Sequence, residues 1–231
     1  MKNYLRSNTR FIVAAGALTM VLAGCTMSGE MSKPKMSKDV ETSHAHIGHV
    51  MASWKDTPEK IGLLETAEDE VEIAITHGEL AVSEPGNLAS IKLHAGHVLH
   101  AVAPKIEKKG PGKGYGVKKA AAGVSKHIGF ASAPAGVTKN VLAHSAHVQT
   151  SATNVVIWSD DVIALVKKIK SAQSAGVALP LAKEMLAITK IMKNGKDANG
   201  DGKITWVDGE GGLKEVRKHM GFMLKGEGLS S

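Results

Sequence analysis

Eleven histidines stand in this chain of 231 residues, and their spacing is the first sign of chemistry. Six form pairs three residues apart: His46/His49 in "HIGHV", His94/His97 in "HAGHV" and His144/His147 in "HSAHV". Residues i and i+3 of a helix share a face, so both imidazoles of a pair reach one place. Three helices carrying such pairs would bring six imidazoles together in the core of a bundle. No carboxylate stands at the matching positions, so the ligand set is imidazole. That set suits copper, zinc or nickel, or haem iron, more than magnesium or calcium. A non-covalent b-type haem is the alternative ligand, with axial histidines on facing helices. Covalent haem attachment is excluded because no Cys-x-x-Cys-His occurs. Histidines that only pack, bonding one another or the backbone, are the third use. His77, His127 and His219 have no partner at this spacing and carry less weight.

A second constellation lies near the C-terminus, in "KDANGDGKITWVDGEGG" from Lys196. Asp197, Asn199 and Asp201 alternate, Gly202 follows at the tightest point, and Asp208 stands twelfth. This stretch resembles the EF-hand loop. The resemblance implies calcium held by Asp197, Asn199, Asp201, the carbonyl of Lys203 and Asp208, between helices over 181–193 and 212–225. It departs from the pattern at Asp208, which is one methylene shorter than the usual glutamate. Gly209, Gly211 and Gly212 also delay the exiting helix, and no second loop exists to pair with. A single loop of this kind reads as a structural staple rather than a switch, since sensor hands work in pairs.

The N-terminus sets the address. Lys2, Arg6 and Arg10 precede an apolar run too short for a stable membrane span, which ends in Leu22-Ala23-Gly24-Cys25. That quartet resembles the lipobox of bacterial lipoproteins. It implies a signal peptide over 1–24, lipid on Cys25, and a chain of the cell envelope anchored to the outer membrane and facing the periplasm. Each buried acyl methylene adds about 0.8 kcal/mol to such an anchor. Cys25 is the only cysteine, so no disulfide or thiolate metal site remains. Beyond residue 24 the chain carries 26 basic and 22 acidic side chains. That balance does not make a nucleic-acid binder.

These residues need helices to position them. Residues 25–43 are polar, rich in Lys and Ser, and read as a flexible tether; Met27, Met31 and Met36 lie in it, spaced as Cu(I) donors could be. Ala, Leu, Lys and Glu then dominate, with few aromatics and hardly any alternating β-branched runs. Helices are expected over 43–54, 57–83, 87–102, 116–132, 137–150, 153–174 and 178–193. The fold class is all-α: a His-rich helical bundle over 44–176, then an EF-hand-like helix-loop-helix and tail over 177–231. One connection, "PKIEKKGPGKGYGVKK", sets lysines among glycines ahead of a helix expected near Val117. It reads as a solvated basic loop, with an anion site at that helix N-terminus as the lesser use. No catalytic residue is assigned, because neither His77-Gly78-Glu79 nor Asp160-Asp161 joins a nucleophile, base and orienting group. Three roles stay open: a lipid-anchored binder of calcium and a transition metal, a haem electron carrier, and a structural envelope lipoprotein.

Overall fold

The computed structural model describes residues 36–230. The expectations placed on Cys25, the signal peptide, Met27 and Met31 lie outside these residues. Within them the chain is all-α: α1 (Lys38–Met51), α2 (Leu63–Ser83), α3 (Leu88–Val102), α4 (Val117–Ser132), α5 (Lys139–Ser171), α6 (Ala175–Asn194) and α7 (Leu213–Glu227). A short 3-10 turn covers Pro58–Lys60. No helix of the described residues is long and apolar enough to cross a membrane.

α5 is the spine, packing against α3, α4, α6 and α7. Its sequence explains why. Val141, Val148, Val155, Val162 and Ile169 recur every seven residues, and Ser145, Ala152, Ser159 and Val166 recur four residues after them; all are buried. This is the seam spacing of a coiled coil, with small residues in the second row so that neighbours approach closely. The break expected near 151–152 does not occur, and the helix also runs unbroken through Ser159-Asp160-Asp161. Ser159 Oγ donates to the Val155 carbonyl at 2.7 Å, so its polar group is satisfied inside the helix instead of interrupting it.

Two boundaries also move. α1 begins at Lys38, inside the expected tether, because Ser37 caps it by accepting from the Val40 amide and Asp39 and Glu41 occupy its first turn. The expected helix over 57–83 starts only at Leu63. Thr57 does not cap it; its hydroxyl turns back to the carbonyls of Trp54 and Ile61.

The basic loop between α3 and α4 is organised by a carboxylate from α2. Glu70 is fully buried, and its Oε1 accepts from the amides of Tyr115 and Gly116, each at 3.0 Å. Gly116 sits at φ 88, a conformation that favours glycine. The N-terminus of α4 is therefore occupied by the protein's own anion. Lys118 pairs with Asp160 and Lys119 with Asp56. Replacing Glu70 with alanine leaves two buried amides without an acceptor, a loss of about 2–4 kcal/mol. Thermal melting checks this: E70A should melt several degrees lower, and an unchanged midpoint would mean that the carboxylate does not organise the loop.

Candidate metal centres

The three histidine pairs do not converge on a common core site. Each instead meets one histidine from a neighbouring helix, giving three separate triads: His46, His49 and His127; His77, His94 and His97; His144, His147 and His219. The bundle interior is filled by aliphatic side chains, and the triads form along its margin, where two helices meet. α1 and α4 build the first triad, α2 and α3 the second, α5 and α7 the third. The three single histidines, discounted on spacing, complete the sites.

The geometry repeats. In the first triad the Nδ1 of His127 lies 3.0 Å from that of His46 and 3.3 Å from that of His49. In the second, the Nδ1 of His77 lies 3.1 Å from His94 and 3.3 Å from His97. In the third, the Nδ1 of His219 lies 3.0 Å from His144 and 3.2 Å from His147. The same ring nitrogen is turned inward on every histidine. A neutral imidazole has one N–H and one lone pair, so three Nδ1 atoms at this range cannot all hydrogen-bond to each other. Three nitrogens bound to one metal at about 2.0–2.1 Å in tetrahedral directions stand about 3.3 Å apart. The donor set fits a metal ion.

Surroundings differ between triads. Trp54, folded back after α1, lies with its ring 4.6 Å from that of His49 and 4.5 Å from that of His127, and Phe130 lies 5.2 Å from His46. In the third triad Trp206 stacks on His147 at 4.1 Å, and Phe222 lies 5.5 Å from His144. Phe130 and Phe222 each stand three residues after the single histidine. The second triad has Leu80 at that place, aliphatic rather than aromatic and as exposed as the two phenylalanines. All three of its histidines are half-buried, whereas His127 and His219 are buried.

The third triad alone has a carboxylate behind a ligand. Glu215, one turn before His219 on α7, accepts from His219 Nε2 at 3.1 Å and from Lys218 Nζ at 2.9 Å. That bond places the ring proton on Nε2 and leaves the Nδ1 lone pair facing the other two rings. The remaining histidines are employed elsewhere. His44 bonds Glu227 at 2.9 Å, and His100 Nδ1 donates to the Glu107 carbonyl at 2.8 Å.

The aspartate-rich loop has a different character. Asp197 accepts from the amides of Gly200, Asp201 and Gly202, Asn199 from Asp201, and Asp201 from Lys203. Asp208 is exposed, and the carboxylates of Asp197, Asp201 and Asp208 do not gather within 4.8 Å as the triads do. Glu210, two residues past the loop's twelfth position and outside the EF-hand pattern, is fully buried. Its Oε2 accepts from the amide and hydroxyl of Thr205, and its Oε1 has no hydrogen-bond partner. At the loop's base Gly195 sits at φ 80, where a Cβ would stand 2.4 Å from the Glu210 carbonyl. Asn154 of α5 holds the closing half by bonding Val207, Gly209 and Gly211. α7 then starts late, at Leu213, as the glycines imply. The two acid–base candidates are surface ion pairs: Glu79 meets Lys190 and Asp160 meets Lys118.

Comparisons with known protein families, curated proteins and solved structures return no match for this chain.

Burial holds His127 well below the usual imidazole range, at about 4, reinforced by the neighbouring His49, His46 and Lys126. Burial also lowers His46, His49, His77, His97, His144, His147 and His219. Below an unfolded value near 6.5 the unfolded chain takes up protons that the folded chain refuses, so stability falls with pH. The metal-free protein should lose several degrees of melting temperature between pH 7 and 4.5. His127→Gln should flatten that decline. An equally steep decline in the variant would contradict the assignment.

Proposed function

We propose that this protein is a metal-binding lipoprotein of the bacterial cell envelope. It holds a transition-metal ion in each of three all-histidine centres and calcium in the loop from Asp197. Attachment through lipid on Cys25 would keep it at the outer membrane, facing the periplasm. The observation that carries this reading is that nine of eleven histidines gather in three groups, in each of which the Nδ1 of one histidine lies 3.0–3.3 Å from that of the other two. One such cluster could arise from packing, but three with the same nitrogen turned inward argue for a shared cation.

Copper, zinc and nickel all accept three imidazoles, so the donor type narrows the metal only to this group. The haem reading loses support, because Nδ1 atoms already in contact leave no slot for a porphyrin between the rings. Capture, buffering or delivery of metal suits a protein with several similar sites better than catalysis does. For calcium, the support is the loop's alternating oxygens and the orphaned Glu210 oxygen beside it. Glu210, two residues beyond Asp208, is the group able to supply the carboxylate that the shorter aspartate does not. Asp197, Asn199, Asp201 and the Lys203 carbonyl would supply the rest.

Metal titration of the purified protein, with elemental analysis, should give three transition-metal equivalents. His94→Ala with His97→Ala should remove one equivalent and leave calcium binding intact. A full complement in that variant would remove the reading. Separately, millimolar calcium should raise the melting temperature, and Asp197→Ala with Asp201→Ala should abolish the rise. No rise in the unaltered protein would remove the calcium role alone.

A further inference from the structure

The three triads share their donors and differ in what closes them off, and that difference selects the ion. Resting on the metal-binding reading above, we propose that the ring-walled triads, His46/His49/His127 and His144/His147/His219, hold three-coordinate monovalent copper. The ring-free triad, His77/His94/His97, holds a divalent ion that keeps an exchangeable fourth ligand.

Coordination number is the first argument. Zinc bound by three protein donors takes a fourth, a water or substrate, in an open position. Monovalent copper has a filled d shell and is content with three nitrogens. In the first triad Trp54 stands against His49 and His127 while Phe130 covers His46, and in the third Trp206 lies flat on His147 with Phe222 beside His144. These rings crowd the two triads and leave less room for the fourth ligand that zinc would need. The second triad has Leu80 in place of the phenylalanine and no indole. Its His97 borders a cavity of about 290 Å³ lined also by Lys92, Lys109, Glu107 and Lys170, the last two paired with each other. Water or a small anion can reach an ion there; Glu107 offsets Lys170, and Lys92 and Lys109 leave the lining net positive.

Charge is the second argument. The desolvation cost of an ion rises with the square of its charge, so a walled site of neutral imidazoles resists a divalent ion far more than a monovalent one. No carboxylate backs the first triad's histidines. Glu215 behind His219 does not alter the sum at the third, because Lys218 already pairs with the same oxygen.

The test uses the full chain carrying Cys25→Ser, so that no thiolate competes, in millimolar calcium. Cu(I) in acetonitrile and Zn(II) are supplied together under anaerobic conditions. Tryptophan emission and X-ray absorption are recorded. Two equivalents of three-coordinate copper should bind and change the emission, Trp54→Phe removing the change from one and Trp206→Phe that from the other. One equivalent of four-coordinate zinc should bind without an emission change and be lost in His94→Ala/His97→Ala. Three equivalents of one metal in one coordination overturn the inference and leave metal binding standing. No metal at any triad removes the parent reading as well.

Discussion

The constraint on which this structure depends is the approach of one imidazole Nδ1 to within 3.0–3.3 Å of two others, three times over. Lone pairs so placed repel one another unless a proton or a metal lies among them. The protein makes protons costly there: burial lowers most of these histidines, His127 to about 4. A site that refuses protons and gathers lone pairs is preorganised for a cation, with much of the cost of its assembly met by folding.

The bundle is built so that this gathering happens at its edges. α5 buries a heptad seam through its whole length and fixes α4 and α7 beside it. α1 then lies along α4, and α3 along α2. Each triad is thus a two-helix joint: a pair at i and i+3 from one helix, a single histidine from the next. Helix-to-helix registration, set by aliphatic packing, positions the nitrogens. The loop at Asp197 belongs to the same scheme. Asn154 clamps its closing half to α5 two turns beyond His147, and Trp206 leaves that half to stack on the His147 ring.

Much of the fold was legible. Helix types, the late start of α7 after Gly212, and the i, i+3 pairs all follow from local pattern. The partners did not, because which helix lies beside which is a long-range fact that spacing within a helix cannot report. His127 and His219 looked isolated for that reason. A signal was nonetheless present: "HIGF" at His127 and "HMGF" at His219 place a phenylalanine three residues after each, and both turn out to sit beside a pair. Glu70 and Glu210 were equally hidden. Their role comes from burial against backbone amides brought in from elsewhere, which no local motif encodes.

The most direct measurement is long-range ¹H–¹⁵N NMR of the imidazoles, with and without metal. Nine Nδ1 resonances should move to the metal-bound range at saturation, while His44 and His100, bonded to Glu227 and to the Glu107 carbonyl, stay put. Nine unmoved Nδ1 resonances at saturating copper and zinc would contradict the account.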